Sequence, residues 1–234
     1  GRAAPKTRQA VYVRRAEREI AGKGGYSWVA DIRNRVTIAK RAAETPGEYL
    51  QILGVMGVDI SEASRRSGRA DWLYSLAEDP SKRIRGENLG LAYGRKAVEG
   101  AMRGNAAIDP GQIAAIAAKA VEVRDYAQLE NMASALELCS RYGIRCMADF
   151  ASRIATMERR GDDKGASELR LAKETAKELR LLPEAAGARP RTAMDHDAWQ
   201  RQHANAPARA GEQAARQRQI QQEQQRNDRN RRAR

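Results

Sequence analysis

The strongest constraint on this chain is its small supply of large apolar side chains for a core. Only 5% of the 234 residues are aromatic, and Phe150 is the only phenylalanine. Hydrophobic residues make up 41% of the chain, but much of that share is alanine, which favours helix and buries little area per residue. We therefore expect modest helical modules rather than one deep core, in one large domain or two small ones.

Helix signals recur along most of the chain. Apolar residues at helical spacing predict a helix over 28–43. Thr45 and Pro46 supply a cap and a first helical residue for the next helix, and Glu48 completes a capping box. The same reasoning predicts further helices over 11–20, over 95–103, from Asp109-Pro110 onward, and over 129–138, 147–157 and 166–182.

The apolar period changes from helical to alternating shortly after the helix that begins at Thr45. Val58 and Ile60 alternate with polar residues, and 72–76 combines alternation with aromatic enrichment. A turn is predicted at 79–81, followed by a third short strand over 82–85. The expected fold class is therefore mainly α with a small antiparallel β-meander, an α+β fold.

Changes in composition divide the chain into four parts. Residues 1–27 form a basic lead-in, 28–94 a small α+β module and 95–182 a helical module. The remaining segment, 183–234, is rich in arginine and glutamine and has few large apolar side chains. Such a segment cannot bury enough surface to offset the entropy of ordering, so we expect a disordered basic C-terminal tail. The chain begins without an initiator Met, which suggests a piece of a longer protein.

The charge balance points to anionic partners. Lys and Arg number 43 against 30 acidic residues, which gives a net charge of +13 and a pI near 10.2. Nucleic acid is the leading partner class, and an anionic membrane surface or an acidic protein is the alternative. Segment 209–234 has three acidic residues and eight arginines, which are expected to bind phosphate or an acidic protein surface: Arg209, Arg216, Arg218, Arg226, Arg229, Arg231, Arg232 and Arg234.

The predicted meander is the best candidate for a DNA-binding site. It combines cations on two turns and one strand with an aromatic residue, a combination that suits single-stranded DNA because charge tracks the backbone and rings stack on bases. In the alternative interpretation, Trp72 and Tyr74 belong to the core and only the charge is available to a ligand. The candidate residues are Arg65, Arg66, Arg69, Trp72, Lys82, Arg83 and Arg85.

The sequence offers no catalytic or metal-binding constellation. The two histidines, His196 and His203, lie in a polar stretch, and no tyrosine has a histidine nearby in sequence that could activate it. Cys139 and Cys146 lack metal-site spacing, which favours two reduced thiols. We therefore predict no cofactor, no metal, no small-molecule substrate and no catalysis by this chain.

Two motifs resemble the region that follows the nuclease domain in MobA-like plasmid mobilisation relaxases. The first is R-x-x-x-L-G, here Arg85 to Gly90. The second is N-x-x-x-A-L-x-L-x-x-x-x-G-I, here Asn131 to Ile144. The resemblance covers about 28–182, roughly two thirds of the chain. It includes the helix before the first strand, the strands and the later helix pair.

The resemblance implies a non-catalytic region of a DNA nicking-closing relaxase. Such a region would handle single-stranded plasmid DNA and present the protein to a type IV secretion system, with a coupling protein as its second partner. It would work in the bacterial cytoplasm and be translocated into a recipient cell. The alternative is a basic helical adaptor or structural protein that binds a protein partner, RNA or a membrane.

Overall fold

A computed structural model describes residues 13, 15–23, 25–64, 70–102, 105 and 108–185 of the chain. They belong to one compact unit and confirm the predicted fold class, mainly helical with a three-stranded antiparallel sheet. The elements are α1 Arg15–Gly22, α2 Trp28–Ala42, α3 Pro46–Val55, β1 Val58–Ser64, β2 Ala70–Leu76, β3 Asp79–Arg85, α4 Gly86–Leu89, a 3₁₀ turn Leu91–Tyr93, α5 Arg95–Met102, α6 Pro110–Glu122, α7 Tyr126–Tyr142, α8 Asp149–Arg159 and α9 Asp163–Glu178. The predicted disordered tail lies outside the described residues from 186 onward.

The helix that follows α2 begins at the predicted cap. Thr45 Oγ1 accepts a hydrogen bond from the backbone N–H of Glu48 at 3.2 Å, and Pro46 is the first helical residue. In the usual capping box the Glu side chain accepts from the backbone N–H of the cap residue itself, here Thr45, and this bond is shifted by one position. Glu48 Oε2 accepts from the N–H of Glu44 at 2.8 Å, so the box reaches one residue further back than the usual pattern.

The bounds predicted for the last helix need correction at both ends. Asp162 Oδ1 accepts from the N–H of Gly165 at 2.9 Å, which caps α9 so that it begins inside the predicted polar break. The helix ends at Glu178 rather than Leu182. Arg180 has a φ of +52°, and the N–H of Leu181 bonds to the carbonyl of Ala176 at 2.9 Å, a closing bond that ends a helix before the following proline can.

The sheet order is β1-β2-β3, with Tyr74 on β2 opposite both Ile60 and Ile84. The turn between β2 and β3 lies at Ala77 and Glu78, not at 79–81 as the sequence predicted, and β3 begins at Asp79. Asp79 still bends the chain locally, because its Oδ1 accepts from the N–H of Ser81 at 3.2 Å. This bend falls within a shift of register between β2 and β3.

Helix α2 is the central element of the unit. It packs against α3, α5, α6, α7 and the sheet strand β2, and its side chains Ile32, Val36 and Ile38 are fully buried. Because α2 precedes residue 94 and α7 follows it, residues on both sides of that predicted boundary share one core. A helix surrounded in this way must also bury the charged residues that its sequence contains.

Three tyrosines connect the inner face of the sheet to the segment after β3. The Tyr49 hydroxyl donates to that of Tyr74 at 2.9 Å, and Tyr74 donates to the carbonyl of Tyr93 at 3.2 Å. A Cβ on Gly86 would collide with that same carbonyl, and Gly90 has a φ of +144°. The glycine of the R-x-x-x-L-G motif is therefore required by backbone conformation, and Leu89 of the motif is fully buried.

Candidate nucleic-acid interface

The sheet has an inner face against the helices and an outer face. Alternation along the strands places Trp72, Tyr74 and Ile84 on the inner face. Arg83 and Arg85 point the other way, and Arg83 is exposed while Arg85 is half-buried. The structure thus brings two of the predicted DNA-binding cations together on one face of β3.

The outer face carries a gradient of charge from one edge to the other. Arg83 lies opposite Ser75 and Arg85 lies opposite Leu73, both on the central strand. Beyond Ser75, on the far strand β1, stands Asp59, which is exposed. The cations therefore line one edge of the face and Asp59 lines the other, so the positive charge of this face runs along β3.

Trp72 does not provide a stacking platform. Its side chain is only 6% exposed, its ring stacks on Tyr49 with a centroid distance of 5.1 Å, and the Arg95 guanidinium lies 5.8 Å from its ring centroid. Tyr74 is fully buried. The alternative that the sequence left open is the observed one: these rings belong to the core, and only the charge of the meander is available to a ligand.

Lys82 is separated from Arg83 and Arg85. Its ammonium pairs with Asp79 at 3.4 Å and lies 5.9 Å from the ring centroid of Tyr26. Tyr26 belongs to the segment that precedes α2, so Lys82 faces that segment. The structure places Lys82 on the other face of β3 from the two arginines, because successive side chains of a strand point to opposite faces, and its predicted role in DNA binding stays a prediction.

The remaining predicted cations lie outside the described residues. Arg65, Arg66 and Arg69 fall in the five-residue segment between Ser64 and Ala70, which pair with each other at the end of the β1–β2 hairpin. The tail arginines and both histidines fall after residue 185. Their predicted roles stay predictions.

Asp71, a buried carboxylate on β2, could not be recognised as important from the sequence. Its oxygens accept hydrogen bonds from the backbone N–H of Trp72 at 2.9 Å, of Glu87 at 3.1 Å and of Arg95 at 3.2 Å. The last two belong to the first turns of α4 and α5. Asp71 therefore fixes both short helices against one end of the outer face and leaves the Arg83 end accessible.

A second charged group, also missed from sequence, lies between α2 and α7, and we call it the cationic cluster: Lys40, Arg41, Glu137 and Arg141. Arg41 donates to both oxygens of Glu137 at 3.0 Å. The Lys40 ammonium is 3.8 Å from Glu137 Oε2 and 4.6 Å from the ring centroid of Tyr93.

Burial lowers the pKa of Lys40 to about 8, although Glu137 attracts its charge. Burial acts to raise the pKa of Glu137, but the hydrogen bond from Arg41 and the charges of Lys40 and Arg41 outweigh it, and the pKa is lowered. Both groups are therefore charged at neutral pH, and the lysine holds its proton less tightly than an exposed lysine does.

The described tyrosines with shifted pKa values are not activated. Burial raises the pKa of Tyr49, Tyr74 and Tyr93, which keeps these hydroxyls protonated, the opposite of what a tyrosine nucleophile needs. Among the described residues, no group of three or more His, Cys, Asp or Glu could hold a metal ion. None of the described helices has the length and apolar character needed to cross a membrane.

In comparisons with known proteins, no protein-family model, no curated protein and no solved structure matches the chain.

Proposed function

We propose that this chain is a non-catalytic, DNA-binding region of a plasmid mobilisation relaxase and that the outer face of the sheet is its DNA-binding surface. The observation that carries the proposal is the pair Arg83 and Arg85 on the accessible face of β3. Arginine pairs well with phosphate because its planar guanidinium can donate two parallel hydrogen bonds. The net charge of +13 adds long-range attraction to any nucleic acid.

The arrangement favours contacts to the backbone over contacts to bases. Since Trp72 and Tyr74 are buried, no ring of the predicted site is available to stack on a base. Phosphate contacts carry no sequence information. Binding of single-stranded DNA is therefore expected to depend strongly on salt and weakly on base composition.

The wider role rests on the motifs and on the tail. In this proposal the parent protein nicks and closes plasmid DNA with a nuclease domain elsewhere, in the bacterial cytoplasm. The eight arginines of 209–234 are captured by an acidic coupling protein of a type IV secretion system, which leads to transfer into a recipient cell. An arginine-rich segment suits capture by an acidic receptor, because the guanidinium of arginine pairs well with carboxylates.

The test is a salt titration of the full chain with a fluorescent single-stranded oligonucleotide. Each phosphate contact contributes about 0.7 to the slope of log affinity against log salt. Replacing Arg83 and Arg85 together by Gln should therefore lower the slope by about 1.4. The matched control replaces Arg159 and Arg160, two exposed arginines at the end of α8, and should lower it less because these residues lie outside the sheet.

Two results would contradict the proposal. Equal slopes for the sheet variant and the α8 control would remove the outer face as the binding surface. Failure of the wild-type chain to bind DNA, combined with binding to an acidic protein, would favour the basic adaptor instead.

A further inference from the structure

A cleft of about 450 Å³ lies between α2, α7 and α9, and none of its lining residues belongs to the sheet. One side of α7 supplies Asn131, Ser134, Leu138 and Arg141, which follow each other at helical spacing. The volume falls within the range of pockets that hold small organic molecules.

The end of the cleft at Arg141 has more positive than negative charge. The cationic cluster sets Lys40, Arg41 and Arg141 against one carboxylate, Glu137. The carboxyl ends of α2 and α7 lie at this end and contribute about half a negative charge each, which leaves a surplus of about one positive charge. The other acidic lining residue, Glu168, has Lys164 as its own partner at 3.9 Å.

The cleft also offers polar and apolar groups that the protein itself does not use. Among the described residues, no hydrogen bond from a protein partner reaches the side chains of Asn34, Asn131, Ser134 or Arg141. Leu171, at the cleft, is 68% exposed. A ligand with one anionic group and an apolar part would satisfy both features.

We propose that this cleft binds a small organic anion, a carboxylate or a phosphate monoester, with its charged group at Arg141 and its apolar part against Leu138 and Leu171. Lys40 is 2% exposed and lies behind the cleft wall formed by Tyr93 and Glu137. It acts on the ligand through its charge rather than by contact. The sequence predicted no small-molecule ligand, because nothing in it places Lys40 and Arg141 beside one cleft.

The state of Lys40 gives the proposal a specific pH dependence. Its pKa is about 8 in the free protein, and a bound anion favours the charged form of a nearby lysine. The charged groups that act on Lys40 are Glu137 on α7 and Arg41 on α2 itself, and its ammonium lies over the ring of Tyr93 on the 3₁₀ turn. Affinity for an anion should therefore be constant below about pH 8 and fall above it.

The test is an NMR titration of the full chain with four probes. Benzoate and phenyl phosphate carry an apolar part, and acetate and inorganic phosphate do not. We expect the aromatic probes to shift amide signals of α2, α7 and α9 with a Kd below about 1 mM, and the small anions to bind at least about tenfold more weakly. The tighter of the two aromatic probes identifies whether the natural ligand is a carboxylate or a phosphate ester.

Three variants make the test specific. Arg141→Gln removes an exposed side chain without a protein hydrogen bond, so the fold should be kept while affinity for both aromatic probes falls about tenfold or more. Arg160→Gln, an exposed arginine of α8, is the matched control and should change nothing. The pH series uses benzoate, because carboxylic acids titrate near pH 4, well below the range of interest. In Lys40→Met the affinity for benzoate should not change with pH across that range.

The proposal is overturned if the three helices show no saturable shifts, if Arg141→Gln binds as the wild type does, or if the wild-type affinity for benzoate is unchanged from pH 7 to pH 10. Arg141 lies outside the sheet, so loss of probe binding in Arg141→Gln should leave DNA binding by Arg83 and Arg85 intact. Failure of one proposal is thus distinguishable from failure of the other.

Discussion

The two ends of α2 bury charge in different ways. Near its start, Arg35 donates from Nε and Nη2 to the two oxygens of Asp31 at 2.7 and 2.6 Å, and from Nη1 to the carbonyl of Met56 at 2.6 Å. The Tyr26 hydroxyl donates to the same carboxylate at 2.9 Å. We call this group the balanced cluster: Tyr26, Asp31, Arg35 and the Met56 carbonyl. Near the end of α2, the cationic cluster has three cations for one carboxylate.

The difference separates a structural ion pair from a group with free binding capacity. In the balanced cluster, one positive charge meets one negative charge, and the donors of the guanidinium reach acceptors in good geometry. Such a pair holds α2 to the chain after α3 and has nothing left to offer a ligand. In the cationic cluster Lys40 shares one carboxylate with Arg41, Arg141 lines a cleft, and burial lowers the pKa of Lys40. A buried cation that shares its counter-charge costs folding free energy, which an anionic ligand would recover.

The largest expected effect comes from breaking the balanced cluster. Arg35→Met leaves the buried Asp31 carboxylate without its counter-charge, which should lower the free energy of unfolding by about 3–5 kcal/mol. Urea unfolding at pH 7 measures this loss. Lys164→Met, which breaks an exposed pair with Glu168, is the control and should change stability by less than about 0.5 kcal/mol. If Arg35→Met lowers the free energy of unfolding no more than Lys164→Met does, the balanced cluster contributes no more to stability than an exposed ion pair.

The sequence predicted elements best where a local signal decides them. The caps at Thr45 and Asp109 are side-chain hydrogen bonds within one turn, so they can be read from neighbours in sequence. The position of the turn between β2 and β3 was misplaced because Asp79-Pro80-Ser81 is a strong turn pattern. Pairing with β2 nevertheless makes Asp79 the first residue of β3.

The candidate sites were harder to predict because burial is decided by packing. Alternation in 72–76 and in 82–85 shows that each strand has two faces, but not which face the helices cover. Helix α2 carries Arg33, Arg35, Lys40 and Arg41, a composition typical of a solvated helix. Only its position among α3, α5, α6 and α7 explains why Lys40 is buried.

The next effect should be a gain in stability. Lys40→Met removes a buried cation whose counter-charge, Glu137, is shared with Arg41. It should raise the free energy of unfolding at pH 7 by about 1–3 kcal/mol, since the folded protein lowers the pKa of this lysine. The folded pKa is about 8 and the usual pKa is 10.5, so the unfolded chain binds more protons between these values. Wild-type stability therefore improves relative to the variant as the pH rises through this window.

Chemical unfolding of both proteins at pH 7 and at pH 10 measures the difference. Both proteins carry the same tyrosines, so the difference between the two proteins isolates Lys40. A wild type more stable than Lys40→Met at pH 7 would show that the cationic cluster is as well matched as the balanced one, and the contrast between the two ends of α2 would fail.

The smallest effect concerns the bond that lies between the two clusters. Thr37 Oγ1 and the Tyr93 hydroxyl are 3.2 Å apart, and Tyr93→Phe removes this bond while keeping the ring beneath Lys40 and the carbonyl that Tyr74 uses. The loss should be about 0.5–1.5 kcal/mol, at the low end because the threonine hydroxyl can turn to a carbonyl of its own helix. Tyr142→Phe is the control, a half-buried tyrosine at the end of α7.

The pH dependence of this loss completes the comparison. Burial raises the pKa of Tyr93, so its hydroxyl stays protonated from pH 6 to pH 9, and the cost of Tyr93→Phe should be the same across that range. The stability gain from Lys40→Met shrinks as the pH rises above 8, because Lys40 of the wild type then loses its proton. A hydrogen bond between neutral groups does not depend on pH in this range. A cost for Tyr93→Phe that shrinks above pH 8, where Lys40 loses its proton, would mean that the hydroxyl supports the charge of Lys40. The cationic cluster would then extend through Tyr93 to Thr37, and its surplus would be partly met by protein dipoles rather than left for a ligand.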